Sequence, residues 1–61
     1  MFKLTIETGN AAFDGEDRAA EVARLLRTAA DALERGTTGA PLHDYNGNFV
    51  GRFDLVPHWQ Q

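Results

Sequence analysis

A chain of 61 residues with no cysteine and a net charge of −3 bounds a single small domain, 1–61, with no disulfide or thiolate metal site to supplement its core. Its 43% hydrophobic and 25% charged composition reads as globular rather than disordered, and a pI near 5.1 argues against a generic binder of phosphate backbones. The apolar runs are a few residues long, far short of the roughly 20 that span a bilayer, and residues 1–6 lack a cationic and apolar leader pattern, so a cytoplasmic chain with no membrane partner is expected.

The first segment alternates. Phe2, Leu4 and Ile6 share one side and Lys3, Thr5 and Glu7 the other, the period of a half-buried strand, with turn chemistry at Thr8, Gly9 and Asn10. A helix follows over about 17–35. Asp14 is its strongest N-cap candidate, and Glu16 and Asp17 place anions in the first turn, where the helix dipole favours them. Val22, Leu25, Leu26, Ala29 and Leu33 form an apolar stripe facing the first strand, with Phe13 buried against the helix start. Arg24, Arg27, Asp31 and Arg35 cluster on the opposite side, where Arg27–Asp31 and Asp31–Arg35 are spaced for i,i+4 ion pairs. Gly36 ends the helix as a C′ residue.

The remainder reads as a hairpin, with strands at 42–45 and 48–56 joined at Asn46-Gly47. A two-residue turn pairs Tyr45 with Asn48 and His43 with Val50. A bulged three-residue turn pairs Asp44 with Asn48 and Leu42 with Val50. The sequence leaves both registers open. Phe49, Phe53 and Leu55 have one parity and Val50 and Val56 the other, so neither sheet face is expected to be fully polar. The fold class is therefore α+β: a β-α-β-β chain forming a three-stranded antiparallel sheet with one helix packed on one face. Apolar residues left on the second face, or the sheet edge, suggest a homodimer.

Chemical motifs are sparse. Asp44-Tyr45-Asn46-Gly47-Asn48 resembles the start of a calcium loop, but the required glycine and glutamate are replaced by Phe49 and Leu55. His43 and His58 stand alone, with no metal-ligand spacing. Serine and cysteine nucleophiles are absent, and the six glycines are scattered at turns and caps rather than gathered into a phosphate loop. The expectation is no enzyme, no cofactor and no metal. Four of the six basic residues fall in the helix (Arg18, Arg24, Arg27 and Arg35), but interleaved acids argue against nucleic acid as partner. Protein binding remains. Trp59 and Tyr45 are the aromatic anchor candidates, with Arg24 and Arg27 as charged candidates at the same interface.

Three blocks of sequence carry a resemblance: residues 3–13 (KLTIETGNAAF), residues 21–27 (EVARLLR) and residues 42–51 (LHDYNGNFVG). Together they resemble a family of short, uncharacterised proteins of bacteriophages and prophages. In these, a K-[IL]-T-I strand leads into T-x-N-A-A-F, then an E-V-A-R-[IL]-L-R helix and an L-x-D-x-N-G-N-x-V-G hairpin. The resemblance implies a phage setting and a host or phage protein as partner, but no chemistry. A non-enzymatic accessory protein follows as the expectation, one that inhibits a bacterial defence system or a host enzyme by protein–protein contact. A nucleic-acid-associated protein using the arginine face, and a structural component of a larger assembly, are the alternatives.

Overall fold

The computed structural model describes residues 1–10, 13 and 15–56. Strand β1 spans Phe2–Ile6, and a single 3-10 turn at Gly15–Asp17 leads into helix α1, Arg18–Glu34. Strands β2, Gly39–His43, and β3, Phe49–Leu55, complete the α+β fold. The sheet is antiparallel throughout, in the order β1-β3-β2, so the last strand is the central one.

The helix boundaries follow from local chemistry. Asp17 occupies the N-cap position without a side-chain bond to the helix backbone, while the Asp14 cap expected from sequence lies outside the described residues. At the other end Gly36 takes φ +94°. Its N–H donates to the Leu33 carbonyl at 3.0 Å, and the Thr37 N–H donates to the Ala32 carbonyl at 2.9 Å. This pair of bonds is the Schellman closure, and it satisfies two of the carbonyls a helix end leaves open. The ion pairs expected at Arg27–Asp31 and Asp31–Arg35 do not form. Among the described residues the salt bridges are Glu21–Arg24 and Arg52–Asp54.

Pairing of β2 with β3 resolves the register that the sequence left open. The Asp44 N–H donates to the Asn48 carbonyl at 2.9 Å and the Gly47 N–H to the Asp44 carbonyl at 2.9 Å. The loop is thus the three-residue kind, and Gly47 carries its positive φ of 86°. A two-residue Asn-Gly turn would need Asn46 at positive φ as well, and no non-glycine residue described has one. His43 then faces Phe49, but Leu42 faces Gly51 rather than Val50. Val50 is the extra residue of a β-bulge, which shifts the alternation of β3 by one.

That bulge decides which side chains enter the core. Val50 and Gly51 are both buried, as is Phe53, whereas Phe49 and Arg52 turn outward. The core joins Val50 and Phe53 with Phe13, Leu25, Ala29, Ala32 and Leu42. Leu25 and Phe13 are buried as the sequence predicts, but the stripe centres on β2 and β3 more than on β1. Gly51 fits only as glycine, because a Cβ there would overlap the Thr5 carbonyl of the neighbouring strand. The uncovered face is also more polar than expected. Its residues include Lys3 and Thr5 from β1 and the Arg52–Asp54 pair from β3, with Nε and Oδ2 2.8 Å apart. Phe49 alone of the β3 phenylalanines turns to it, so a greasy second face is not what this sheet offers a partner.

Candidate protein-binding site

The hairpin tip is built around one buried carboxylate. Asp44 is almost fully buried and accepts four hydrogen bonds. Its Oδ1 takes the Asn46 and Asn48 backbone N–H groups, both at 2.9 Å, and its Oδ2 takes Asn10 Nδ2 at 2.9 Å and Asn48 Nδ2 at 3.2 Å. Bonds to N–H groups two and four residues ahead lock the turn locally. The bond from Asn10 ties it to the loop after β1. Burial pushes this carboxyl up, but the donors outweigh it and hold it below the ordinary carboxylate value.

A second buried carboxylate fastens the tip to the helix. Glu21 accepts both Arg24 Nε at 2.8 Å and Arg24 Nη2 at 2.7 Å, and also the Tyr45 backbone N–H at 2.9 Å. Arg24 Nη2 reaches on to the His43 carbonyl at 3.2 Å. The Arg24 guanidinium holds the Glu21 carboxyl below its ordinary value against the opposing effect of burial. Together these contacts fix the backbone of residues 43–48 from two sides.

On this rigid backbone two aromatic side chains stand in solvent: Tyr45 is 63% exposed and Phe49 is 65% exposed. The His43 ring meets Phe49 edge-on, with centroids 6.1 Å apart. Of the residues singled out from sequence, Tyr45 and Arg24 are brought together, since Glu21 binds both. Arg24 is engaged in this bracket rather than standing on a free solvent face. Arg27 is exposed one helical turn away and joins no ion pair among the described residues. Trp59 lies outside the described residues. Phe49 escaped the sequence reading because it was grouped with Phe53 by parity. The glycine next to Val50 was the available signal, since a glycine inside a strand pattern marks a bulge.

No three-residue cluster of metal-ligating type occurs among the described residues, and no helix there is long and apolar enough to cross a membrane. Neither family models, nor curated proteins, nor solved structures yield a match to this chain.

Proposed function

We propose that this chain is a non-enzymatic phage accessory protein that acts by protein–protein contact in the bacterial cytoplasm, inhibiting a defence system or another host enzyme. The carrying observation is the hairpin tip, where Tyr45 and Phe49 project from a backbone already immobilised by Asp44 and Glu21. Rigid exposed aromatics make effective interface anchors because they bury large areas while losing few rotamers. The sequence resemblance to short phage proteins supplies the setting. It does not bear on which host protein is bound.

The test begins with immobilised protein and bacterial lysate, followed by calorimetry on the captured protein. Tyr45→Ala with Phe49→Ala should weaken binding by about 30-fold or more, the equivalent of 2 kcal/mol at a central anchor. Arg27→Ala should change it little, as exposed charges contribute about 0–1 kcal/mol. Trp59→Ala forms a third arm. Full binding by the tip variant would reject the hairpin as interface.

The nucleic-acid alternative keeps one point in its favour: Arg27 is exposed and joins no ion pair among the described residues. Asp31 and Glu34 on the same helix leave the local field mixed. Affinity for DNA or RNA that collapses as salt rises, and falls with Arg27→Ala, would favour that reading.

A further inference from the structure

The two edges of the sheet are finished differently. In an antiparallel pair the residues alternate between those that bond to the neighbour and those whose amide groups point away. Leu55 N–H donates to the Thr38 carbonyl, which makes Gly39, Pro41 and His43 the outward residues of β2. Pro41 has no N–H to present, and the His43 carbonyl accepts Arg24. This edge is blunted by the devices that natural sheets use against unwanted pairing.

Strand β1 carries Lys3, but it has no proline, and no outward carbonyl of it accepts a bond among the described residues. Met1 and Val56 exchange both bonds, at 2.7 and 2.8 Å, so Lys3 and Thr5 bond inward and Phe2, Leu4 and Ile6 point their amide groups outward. Among the described residues nothing pairs with those groups. The same three residues place their side chains on the helix side of the sheet. There the helix approaches β2 most closely, leaving Phe2 46% exposed and Leu4 and Ile6 partly covered. Leu26 of the helix is likewise open to solvent, 47% exposed. An open edge and an uncovered apolar strip therefore coincide.

We propose that β1 pairs antiparallel with β1 of a second copy about a two-fold axis at Leu4, forming a continuous six-stranded sheet. In that register Phe2 faces Ile6 of the second copy and Leu4 faces its counterpart. All three outward residues gain both backbone bonds, and the apolar strips of the two copies become contiguous. On the opposite face Lys3 meets Thr5 of the second copy and lies diagonal to both its Glu7 and its Lys3. The two-fold thus sets two opposite-charge diagonals against one like-charge diagonal, and no like charges stand directly opposite. A register shifted toward the N-terminus would set Lys3 directly against Lys3, which disfavours it. The strand is complementary to itself in length, hydrogen-bonding phase and charge, and this selects a second copy over an unrelated strand.

The chain contains no cysteine, so cross-linking reads the register without background. Lys3 and Thr5 of opposite copies would form a pair with Cα atoms about 4.5 Å apart, within disulfide reach, whereas Lys3–Lys3 and Thr5–Thr5 would lie roughly 8 Å apart, beyond it. Sedimentation of the full chain should give twice the 6.7 kDa monomer mass. A mixture of Lys3→Cys and Thr5→Cys should oxidise to covalent dimer, and neither variant should do so alone. Leu4→Pro removes an outward N–H without breaking the ladder to β3, although it also removes a side chain packed against the core, and if folded by circular dichroism it should be monomeric. Tyr45→Ala should leave the dimer intact, separating this surface from the hairpin tip. A wild-type monomer up to the solubility limit overturns the proposal. So does a dimer whose mixed variants fail to cross-link, a single variant that cross-links as well as the mixture, or a folded Leu4→Pro that stays dimeric. If Leu4→Pro does not fold, the cysteine mixture decides alone.

Discussion

The two flanks of α1 solve the same problem in opposite ways. On the β2 flank Glu21 and Arg24 reach down to the hairpin, and the backbone of His43 and Tyr45 is bonded to the helix through them. On the β1 flank Leu4 and Ile6, like Val22 and Leu33 of the helix, are only partly buried against the core, no polar bridge joins helix and strand among the described residues, and Phe2 and Leu26 remain about half exposed. A single helix, about 10–12 Å across, is too narrow to close both sides of a three-stranded sheet. It is drawn to the side where directional bonds exist. Polar contacts thus set the lateral position of the helix here, and the hydrophobic remainder is left for association.

The largest expected effect lies between these flanks. Leu25→Ala truncates a side chain 1% exposed at the centre of the core and should cost about 2–5 kcal/mol. Leu26→Ala, one residue on, should cost less than about 1 kcal/mol in the monomer, since its side chain is already half in solvent. Thermal melts of the two variants check the contrast. Equal losses would mean that the β1 flank is closed and that the comparison fails.

Next come the glycines of the hairpin. Gly51→Ala forces a methyl group into the Thr5 carbonyl at the β1–β3 seam, where backbone must move, and should cost about 1–3 kcal/mol or more. Gly47→Ala meets no atom within 4 Å and suffers only from its positive φ, so roughly 1 kcal/mol is expected. Denaturant titrations should rank them in that order. A Gly51→Ala protein as stable as its parent would show that β1 is free to move away from β3.

The same pair of glycines shows how far the sequence was legible. Strand β1, the helix and its stop at Gly36 are local events, and alternation, an apolar stripe and a C′ glycine report them directly. The bulge is not local. Val50 and Gly51 both sit opposite Leu42 because Leu42, Val50 and Phe53 must all reach the helix, a demand that appears only once three strands are assembled. Periodicity therefore assigned Phe49 to the wrong face and exaggerated the apolar character of the open one. At the site, Tyr45 was legible because its place in an Asn-Gly loop exposes it. The buried roles of Asp44 and Glu21 were not, since their donors come from residues as distant as Asn10 and Tyr45.

Acid should separate the flanks further. The folded pKa values of Asp44 and Glu21 lie below the ordinary 3.8 and 4.5, so their contribution to stability is fully present above that range. As pH falls the unfolded chain binds protons first, and the contribution is lost down through the depressed folded values. Exchange at the hairpin amides should then accelerate before exchange in the β1–β3 ladder, measured by acid-series hydrogen exchange. Asp44→Asn should abolish much of this dependence. It also puts an amide donor where one carboxylate oxygen accepts from Asn10 and Asn48, so it should lower stability at neutral pH too. Uniform loss of protection along the chain would sink the idea that the polar flank is held separately.

The smallest effect tests whether the arginines of the helix differ as the flanks do. Arg24 binds the buried Glu21 in a forked geometry and caps the outward carbonyl of His43, although its own side chain is 45% exposed. Arg27 has neither attachment. Arg24→Ala should cost about 1 kcal/mol, because Glu21 keeps the Tyr45 N–H while solvent screens the half-exposed guanidinium that is lost. Arg27→Ala should stay within about 0.5 kcal/mol. The difference should persist in high salt, because a bidentate hydrogen bond to a buried carboxylate is screened less than a surface charge pair. If both variants match the parent, Glu21 must find compensation from the hairpin backbone alone, and the helix is held over β2 by its apolar stripe rather than by its arginine.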